Sequence, residues 1–517
     1  MSLQHLLAEE FGTLPALIHA HAQRAPAQPA LIMDEQQLDF AALDLLMDRV
    51  AVGLQRDGLV PGETIAILAA TSLAYAATYL GALRAGVAVA PLPLSSSSES
   101  LVDMLADCGA KLVFVDADAA RLLDQAGRPS AARRIALDAS GAENSLAQWL
   151  PPPDLHPAPV APAPDATFNI IYSSGTTGTP KGIVHANSMR WAHVRRGDVF
   201  GYGPGAVTLV STPLYSNTSL VSFLPGIALG GTVVLMARFD AAKFLALSER
   251  WRVTHAMLVP VQYARILAVP DFDRFDLSSY VVKFCTSAPF SAALKAEVLR
   301  RWPGGLIEYY GLTEGGGTCV LVAHQFPDKL HTVGKPFPEH DIRLIGEDGK
   351  EVAPGEVGEV VGHSRVAMMS GYHNLPDKSA EALWVDPSGK PFIRTGDVGR
   401  FDADGFLILL DRKKDMIISG GFNVYPSDLE AVLRQHPDVA DGAVVGVPSE
   451  QWGETPVGFV VRAEGSSADA EQIRAWANLR LGKTQRLSAV ELVDALPRSG
   501  IGKVLKRELR ERYVSSR

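Results

Sequence analysis

Two spacings of apolar residues alternate along the N-terminal part of the chain. Apolar residues recur with helical spacing over residues 16–24, 39–58 and 72–85, whereas continuous apolar runs occupy residues 29–33, 64–69, 87–91 and 111–115. The runs have the length of buried strands, and Gly58 and Gly86 end two of the helical stretches. This order of strands and helices predicts a parallel sheet that is covered by helices on both faces.

The alternation lapses between residues 140 and 164, where proline and alanine dominate. This composition predicts an extended connector, which we interpret as a surface excursion within one domain. Further strands are predicted at residues 168–172, 206–211, 232–235, 255–259, 281–286 and 306–309, and further helices at 241–251 and 292–301.

The pattern changes again at Gly334. Short β segments at residues 341–345, 358–362 and 405–410 predict an antiparallel β subdomain. Past Arg412, helices at 426–435, 470–481 and 503–513 and strands at 442–447 and 457–462 predict a small α+β unit. We therefore predict an α/β protein with a large N-terminal domain of parallel or mixed sheets (residues 1–411) and a small, mobile C-terminal domain (residues 412–517).

Composition and charge narrow the range of functions. The chain has 517 residues, of which 47% are hydrophobic and 20% charged, and a net charge of -9. This charge argues against nucleic acid or an anionic membrane surface as the main partner. Cys108, Cys285 and Cys319 show no paired spacing, so neither a disulfide framework nor a zinc site is predicted. The N-terminus lacks the basic region of a signal peptide and no transmembrane run is present, which favours a cytoplasmic protein.

The richest candidate chemistry follows the predicted strand at 168–172. The residues that offer backbone or hydroxyl donors there are Ser173, Ser174, Gly175, Thr176, Thr177 and Gly178. Small residues let phosphate oxygens approach these donors, and Lys181 adds a mobile positive charge. Pro180 and Gly182 flank the lysine, which excludes a Walker A loop. A nucleoside triphosphate site of another class is predicted, with a plain surface loop as the alternative.

Two stretches offer ligands for the rest of a nucleotide. Tyr310, Gly311, Thr313 and Glu314 supply an aromatic ring, a hydroxyl and a carboxylate within five positions. A base can stack on the ring, a phosphate can bind the hydroxyl, and the carboxylate can reach a phosphate-bound Mg²⁺. The segment 287–289 follows a predicted strand and could wall a flat ligand. Each stretch alone is also explained by an ordinary turn.

Three later positions carry charged groups. Asp397 ends a turn and suits ribose hydroxyls, although an isolated Asp is commonly a cap or turn former. Residues 411–415 form a dense charge run that, alone, would be a solvated linker. Lys503 follows Gly500 and Gly502, as if it had to be carried to a site, whereas a lysine near a chain end is ordinarily exposed.

In their order and joint presence these stretches resemble the adenylate-forming superfamily of acyl- and aryl-CoA synthetases, peptide-synthetase adenylation domains and luciferases. The segments that match are 173–181, 310–314, 394–397, 411–430 and 497–503, and the resemblance covers essentially the whole chain. It implies two half-reactions. A carboxylate attacks the α-phosphorus of ATP to give acyl-AMP and pyrophosphate, and a thiol, usually that of CoA, then attacks the acyl carbon.

The resemblance also implies roles for individual residues. The loop that ends at Lys181 would hold the β- and γ-phosphates, with Thr313 near the α-phosphate and Glu314 on Mg²⁺. The residues implied around the adenine and ribose are Ser287, Ala288, Pro289, Tyr309, Tyr310, Gly311, Asp397 and Arg412.

Lys503 would bridge the carboxylate and the α-phosphate in the first half-reaction. Lys414 falls at the hinge about which the C-terminal domain would rotate. That rotation would bring the CoA channel to the acyl site, and the channel residues would be Ser419, Gly420, Gly421 and Phe422.

The chain departs from the superfamily at the acyl site. Ser216 stands where relatives often have a histidine that orients the carboxylate, so Tyr215, Ser216 and Asn217 are the candidates for that role. Small residues at Gly315, Gly316 and Gly317 predict a roomy pocket for a medium- or long-chain or bulky aryl acid, unless these glycines serve a turn. These segments contain no arginine for a second substrate carboxylate, which counts against diacids, although Arg238 is a possible exception.

The sequence therefore predicts an ATP- and Mg²⁺-dependent acyl- or aryl-CoA ligase whose small-molecule substrate is a medium- or long-chain fatty acid or an aryl acid. It leaves the oligomeric state open, with a homodimer as one possibility. The nearest alternative transfers the acyl group to the phosphopantetheine of a carrier protein. A luciferase is disfavoured because the sequence ends at Arg517 without a peroxisomal tripeptide. A nucleotide-binding regulator without activity is disfavoured by the presence of Lys503 and Glu314.

Overall fold

The computed structural model describes residues 3–138, 144–172, 180–412, 414–419, 422–482, 485–499 and 502–515. The chain divides into two compact units. The large unit comprises Met1–His331, Pro336–Asp341 and His363–Ile393, and the small unit comprises Thr332–Lys335, Ile342–Gly362 and Arg394–Arg517.

The helices of the described residues are α1 (Leu3–Ala8), α2 (Leu14–Arg24), α3 (Phe40–Arg56), α4 (Leu73–Arg84), α5 (Ser98–Asp107), α6 (Ala117–Gln125), α7 (Leu146–Trp149), α8 (Asn187–Gly197), α9 (Asn217–Ala228), α10 (Ala241–Arg250), α11 (Pro260–Leu267), α12 (Ala292–Arg301), α13 (Pro376–Glu381), α14 (Pro426–Leu433), α15 (Ala470–Asn478) and α16 (Lys506–Ser515). Short 3₁₀ turns lie at Asp198–Phe200, Phe272–Arg274 and Pro327–Lys329.

The strands are β1 (Pro29–Met33), β2 (Gln36–Asp39), β3 (Thr64–Leu68), β4 (Ala88–Pro91), β5 (Leu112–Val115), β6 (Arg133–Ala136), β7 (Thr167–Tyr172), β8 (Gly182–Ala186), β9 (Val207–Val210), β10 (Thr232–Leu235), β11 (His255–Leu258), β12 (Val282–Cys285), β13 (Gly305–Tyr310), β14 (Cys319–Val322), β15 (Lys335–Pro336), β16 (His340–Ile345), β17 (Gly358–Ser364), β18 (Gly371–Tyr372), β19 (Leu383–Val385), β20 (Pro391–Phe401), β21 (Leu407–Arg412), β22 (Ile417–Ser419), β23 (Phe422–Val424), β24 (Val439–Ser449), β25 (Gly453–Arg462) and β26 (Ala489–Leu492).

The predicted N-terminal parallel sheet is present as part of a seven-stranded sheet of order β18-β8-β7-β4-β3-β5-β6. Its strands β7, β4, β3, β5 and β6 run parallel, with Ile65 opposite Val89. Strand β8 instead pairs antiparallel with β7, where Ile183 lies opposite Ile171. The strand that enters the hydroxyl-rich loop and the strand that leaves it therefore lie side by side.

A nine-stranded sheet of order β15-β14-β13-β12-β11-β9-β10-β1-β2 completes the large unit. Its strands from β13 to β1 are parallel, and β14 and β2 pair antiparallel at either side. The predicted nucleotide residues Tyr309 and Tyr310 end β13. In open sheets of this kind, ligands bind beyond the carboxyl ends of the parallel strands.

Successive side chains of a strand point to opposite faces of the sheet and therefore pack into different apolar clusters. In β3, Ile65 and Ile67 belong to one apolar cluster, whereas Ala66 and Leu68 belong to another. The first cluster also contains residues of α2, α3, α4 and α9 and of strands from both sheets. Each large apolar side chain buried there stabilises the fold by roughly 1.5–3 kcal/mol, so this shared helical layer holds the two sheets together.

The predicted connector follows the outer surface of α3. Arg49 Nε donates to Pro151 O at 2.8 Å, and the side-chain amide of Gln55 bonds both backbone polar groups of Ala158. The connector lies wholly within the large unit, so the interpretation as an excursion within one domain is confirmed.

The β-rich segment after Gly334 contains a sheet of order β16-β17-β20-β19, with β21 added to β20. Strand β20 pairs antiparallel with both β19 and β21, in agreement with the predicted antiparallel character of this segment, although neither β19 nor β20 was predicted. In the β20–β21 pair, Asp397 lies opposite Arg412.

A five-stranded sheet of order β23-β22-β25-β24, with β26 beside β25, forms the C-terminal part of the small unit. Val444 and Val460 face one cluster with residues of α14 and α15, whereas Val445 and Phe459 face another with residues of α16. Helices thus cover both faces of this sheet. The mixed α/β fold class, with its smaller C-terminal part, is confirmed.

Several helices of the structure were not predicted. The helices absent from the sequence interpretation are α1, α5, α6, α7, α8, α9, α11 and α13. The helix predicted over 503–513 begins only at Lys506, so Lys503 lies in the preceding turn. The three cysteines are buried and unpaired, as predicted. No described helix has the length and apolar character needed to span a bilayer.

Candidate active site

Lys181, Tyr372 and Glu314 lie in a row in the large unit. Lys181 Nζ is 4.9 Å from the centroid of the Tyr372 ring, and the Tyr372 hydroxyl donates to Glu314 Oε1 at 2.9 Å. Burial, and then the adjacent Glu314 carboxylate, raise the pKa of Tyr372, so its hydroxyl stays protonated and donates. Tyr372 thus joins the predicted phosphate lysine to the predicted metal-binding carboxylate.

The backbone carbonyl of Thr313 contacts the buried imidazole of His185. His185 Nε2 lies 2.7 Å from Thr313 O, and Arg190 Nη2 lies 2.7 Å from His185 Nδ1. Burial and the charge of Arg190 lower the pKa of His185 well below its ordinary value. A neutral ring with its proton on Nε2 therefore donates to Thr313 and accepts from Arg190.

The predicted adenine wall begins with a residue in an uncommon conformation. Ser287 has φ of 79°, and its Oγ lies 2.6 Å from Thr218 Oγ1 at the start of α9. A left-handed conformation is rare for a residue other than glycine and is found preferentially at functional sites. Ala288 is half-buried and Pro289 exposed, so the wall is open to a ligand.

The tyrosines that end β13 differ in their surroundings. The Tyr309 ring stacks on Phe284 with centroids 5.6 Å apart, which fixes it within the large unit. Tyr310 is half-buried opposite Cys319 in the β13–β14 ladder, and Gly311 beyond it is exposed. Both tyrosines are half-buried, and Tyr310 is the one that adjoins the exposed Gly311.

The segment at the predicted acyl site starts helix α9. Ser216 is the N-cap, and its Oγ accepts the Thr218 N–H at 3.2 Å. Asn217 Oδ1 accepts from Arg190 Nη2 at 2.8 Å, and burial raises the pKa of the preceding Tyr215. Where the superfamily often has a histidine, this chain thus has a helix cap.

The three glycines after Glu314 have a backbone explanation. Gly315, Gly316 and Gly317 have φ values of 74°, 83° and 133°. A Cβ on Gly315 would overlap the carbonyl oxygen of Ala367, which accepts the Gly316 N–H at 2.7 Å. This geometry supports the turn interpretation of these glycines, so their presence is no longer an argument for a roomy pocket.

In the small unit, the predicted ribose and catalytic groups lie together. Arg412 Nε is 3.1 Å from Asp397 Oδ1. Lys503 lies near enough to Arg412 and Asp397 for their charges to affect its pKa. Burial is the main cause that lowers the pKa of Lys503 to about 8, followed by the positive charges of Arg412 and Lys414, while Asp397 has the opposite effect. The same surroundings lower the pKa of Lys414, with burial as the main cause. The fold therefore gathers four predicted residues from three separate segments.

A tight turn holds the backbone of Lys503. Its N–H donates to Ser499 Oγ at 3.2 Å, and its carbonyl accepts the Ser499 N–H at 2.8 Å. Arg498 and Val504 form a β-bridge on either side. Lys503 is thus positioned by structure and is not a residue of a loose tail.

Some predicted site residues lie outside the described residues, namely Ser173, Ser174, Gly175, Thr176, Thr177, Gly178, Gly420 and Gly421. Of the remaining channel candidates, Ser419 is buried and lies opposite Gly453, and Phe422 begins β23.

Two family models match the sequence of this chain. The model described as AMP-binding enzyme matches residues 18–373, and the model described as AMP-binding enzyme C-terminal domain matches residues 428–503. The chain belongs to the AMP-binding enzyme family. The predicted resemblance to adenylate-forming enzymes is thereby confirmed, and so is the prediction that the protein is a ligase.

Relatives of the AMP-binding family cover nearly the whole chain. A feruloyl-CoA synthase of an Amycolatopsis species is 35% identical over 500 residues, which are 95% of this chain and 97% of that protein. The fatty acid–[acyl-carrier-protein] ligase ScoC of Streptomyces coeruleorubidus is 32% identical over 514 residues, or 98% and 97% of the two chains. The crystal structure of ATP-bound MatB from Rhodopseudomonas palustris superimposes with a TM-score of 0.86 at 27% identity, covering 97% of this chain and 99% of that one. These similarities agree with ATP and CoA as the predicted co-substrates.

The Mg²⁺ that this family implies fits Glu314. Among the described residues there is no group of three or more side chains that could cage a metal ion. Mg²⁺ commonly binds through one or two carboxylates together with substrate phosphates, and Glu314 offers such a carboxylate, oriented by Tyr372. When bound, the ion would neutralise charge on the phosphates of ATP.

Replacing Tyr372 with phenylalanine tests this arrangement. Tyr372→Phe keeps the ring below Lys181 but removes the donor to Glu314. We expect Mg²⁺–ATP affinity to fall about 3- to 10-fold, which corresponds to the net contribution of about 1 kcal/mol that a typical hydrogen bond makes. Titration calorimetry with a non-hydrolysable ATP analogue measures it. Unchanged affinity would contradict the assigned role of the hydroxyl, and the melting temperature controls for misfolding.

Sequence reasoning missed the residues that support the site. Tyr372, His185 and Arg190 all contact predicted residues, yet none was singled out. The sequence did contain an indication of the role of His185, because this polar residue lies within the otherwise apolar segment Gly182–Ala186, which forms the mostly buried strand β8. A polar residue inside a buried strand indicates a specific hydrogen-bonding role.

Proposed function

We propose that this AMP-binding enzyme uses ATP to activate a fatty or aryl carboxylic acid as its acyl-adenylate and then transfers the acyl group to CoA. The observation that carries this proposal is the grouping of Asp397, Arg412 and Lys503 in the small unit. The Asp397 carboxylate is suited to bind the ribose hydroxyls of a nucleotide, with Arg412 beside it. The Lys503 ammonium, whose pKa is lowered, is suited to stabilise negative charge that develops during the reaction. CoA as the acceptor is supported by the name of the feruloyl-CoA synthase relative.

In the first half-reaction, a carboxylate oxygen bonds to the α-phosphorus while the bond to pyrophosphate breaks and pyrophosphate takes the electron pair. Two anions must approach, so the Lys503 ammonium would lie between the carboxylate and the α-phosphate oxygens and reduce their repulsion. Lys181 and Thr313 would hold phosphate oxygens, and the contact from His185 keeps the Thr313 backbone in place.

In the second half-reaction, the thiol of CoA loses its proton, its sulfur bonds to the acyl carbon, and AMP leaves with the electrons of the broken acyl–oxygen bond. We propose that residues 412–517 rotate about Lys414 between the two steps. Ser419, Gly420, Gly421 and Phe422 would then guide the pantetheine arm, since two adjacent glycines allow close approach to the backbone.

The pKa of Lys503 gives a pH test of the first step. Because the ammonium form is required and the pKa is about 8, kcat/KM for acid-dependent pyrophosphate release should fall about tenfold per pH unit above that value. Lys503→Arg should move this decline to higher pH, since a guanidinium stays charged. A rate in the wild-type enzyme that keeps rising well above the pKa would contradict the role of the ammonium.

The acceptor thiol is tested by supplying CoA or a phosphopantetheinylated carrier protein with ATP and a panel of fatty and aryl acids. We expect an acyl-CoA thioester, measured by mass spectrometry, and AMP in equal amount. The second candidate function is transfer to a carrier protein, which the ScoC relative favours by its name. Acyl-AMP that accumulates with CoA and forms a thioester only with the carrier protein would establish that function instead.

A further inference from the structure

Helix α8 carries three basic residues on one face, directed into the large unit. Arg190, His193 and Arg196 are spaced three residues apart, which places them on the same side of the helix. Arg190 has no exposed surface, and its Nη2 reaches Asn217 Oδ1 of the predicted acyl segment. The exposed Arg195 lies beside them on the outer surface of the same helix.

These cations lack a carboxylate partner. Among the described residues, neither Arg190 nor Arg196 forms an ion pair, and the contacts of Arg190 are to Asn169, Asn217 and the imidazoles of His185 and His193. Burial is the main cause that lowers the pKa of Arg190 to about 10 and also lowers that of Arg196, while the exposed Glu339 has a smaller opposing effect on Arg196. Buried charge without a counter-charge is costly, which favours an anionic or strongly accepting ligand.

One contact of Arg196 places two donors opposite each other. The Thr318 N–H donates to His340 Nδ1 at 2.9 Å, so a neutral His340 ring carries its proton on Nε2. Arg196 Nη2 lies 2.8 Å from that same Nε2, and a guanidinium offers donors only. Protonating the ring does not relieve the conflict, because Thr318 would then lose its acceptor. Arg196 and His340 together therefore lack an acceptor oxygen.

The surroundings of this donor pair are aromatic. The Arg196 guanidinium lies 5.2 Å from the centroid of the Phe337 ring, and the Phe200 ring lies 6.4 Å from Phe337 and 5.8 Å from Tyr309. Burial lowers the pKa of His193 and of Arg196, and both residues are half-buried. Arg196 therefore combines a guanidinium without a carboxylate partner with aromatic neighbours.

Hydrogen bonds link His340 and helix α8 to the segments that the proposed reaction uses. Thr318 directly follows the glycine turn after Glu314, and its N–H is bonded to His340. Arg190 links the same helix to Asn217 and, through His185, to the carbonyl of Thr313. Resting on the proposed acid-activating function, we infer that Arg196 and His340 bind an oxygen substituent of the acid other than the carboxylate that is activated. The substrate class is thus an aromatic acid with a second acidic oxygen group, a phenol or a carboxylate.

The inference is tested with matched acids on the wild-type enzyme and two variants. The acids are cinnamic acid, its 4-hydroxy and 4-carboxy derivatives, and octanoic acid, and kcat/KM is measured as acid-dependent pyrophosphate release. We expect the wild-type enzyme to prefer an oxygen-substituted cinnamate over cinnamate by about 10- to 100-fold, the range for a hydrogen bond to a charged group. Arg196→Met should abolish that preference while changing the rate with cinnamate less than about threefold. Arg195→Met, the control on the exposed side of α8, should change neither.

The outcomes separate this inference from the proposed function. Preference for cinnamate or octanoate in the wild-type enzyme, or a preference for substituted acids that survives in Arg196→Met, would overturn the inference while leaving acid activation intact. Pyrophosphate release with none of the acids would instead count against the proposed function. If Arg196→Met melts at a lower temperature than wild type, Arg196→Lys serves in its place. That variant keeps a charge but loses the guanidinium fork, and it should retain part of the preference.

Discussion

Replacing Lys503 with alanine is expected to reduce acid-dependent release of pyrophosphate from ATP by about 100- to 1,000-fold, the usual effect of removing one group that stabilises transition-state charge. The lysine is fixed in a turn beside Arg412 and Asp397, so its loss removes a positioned charge. Lys350→Ala, which removes an exposed lysine of the same unit, should leave the rate unchanged.

The same variant separates the two half-reactions. If Lys503 acts only in adenylation, Lys503→Ala should convert supplied acyl-AMP and CoA to the thioester within about threefold of the wild-type rate. Equal losses in both half-reactions would show that Lys503 supports the structure of the site in general. Full activity in pyrophosphate release would remove the basis for its catalytic role.

Replacing Lys295 with alanine should have the largest effect on stability. Lys295 of α12 forms an ion pair with Glu308 of β13, and the two residues are only 1% and 4% exposed. Burial raises the pKa of Glu308 to about 7 despite the opposing effect of Lys295. Removing the lysine leaves a buried carboxylate alone on the strand that ends in Tyr310, and we expect a loss of about 3–5 kcal/mol.

Urea denaturation with the double variant Lys295→Met/Glu308→Leu provides the control. Because two apolar side chains need no counter-charge, the double variant should recover most of the lost stability. Lys243→Ala, which removes the partner of Asp34 in an exposed pair, should cost less than about 1 kcal/mol. A cost in Lys295→Ala no larger than that of the surface variant would contradict the assignment of a buried, coupled pair.

The sequence predicts the fold well where local signals agree with burial. Helix α4 begins after Ser72, whose Oγ accepts the Tyr75 N–H, and ends before Gly86, whose φ of 70° suits glycine. Helix α8 was missed because the residues on its inward face include Arg190 and His193. An apolar periodicity cannot appear where polar residues are buried, so tertiary contacts decide the structure there.

The candidate site is predictable in its motif residues but not in its supports. Glu314 and Lys503 lie in short stretches whose order identifies the family. Tyr372 becomes visible only in the structure, since it contacts Glu314 across 58 positions of the chain. Arg196 and His340 are 144 positions apart, and only folding places them together.

The three glycines after Glu314 show the opposite case, in which one composition supports two interpretations. A short side chain can widen a pocket or permit a positive φ, and the sequence does not distinguish them. The positive φ values of all three residues favour the turn. Specificity for the acid is therefore better sought in polar side chains such as Arg196, to which we assigned a second oxygen group of the acid by inference.

The transfer of oxygen from the acid to AMP tests the central claim, that the enzyme activates its acid as an acyl-adenylate. With a carboxylic acid labelled with oxygen-18 in both carboxylate oxygens, ATP and CoA, mass spectrometry should find one labelled oxygen in AMP and one in the thioester. The label in AMP is the oxygen that attacked the α-phosphorus. Unlabelled AMP, or formation of ADP and labelled inorganic phosphate, would contradict the account.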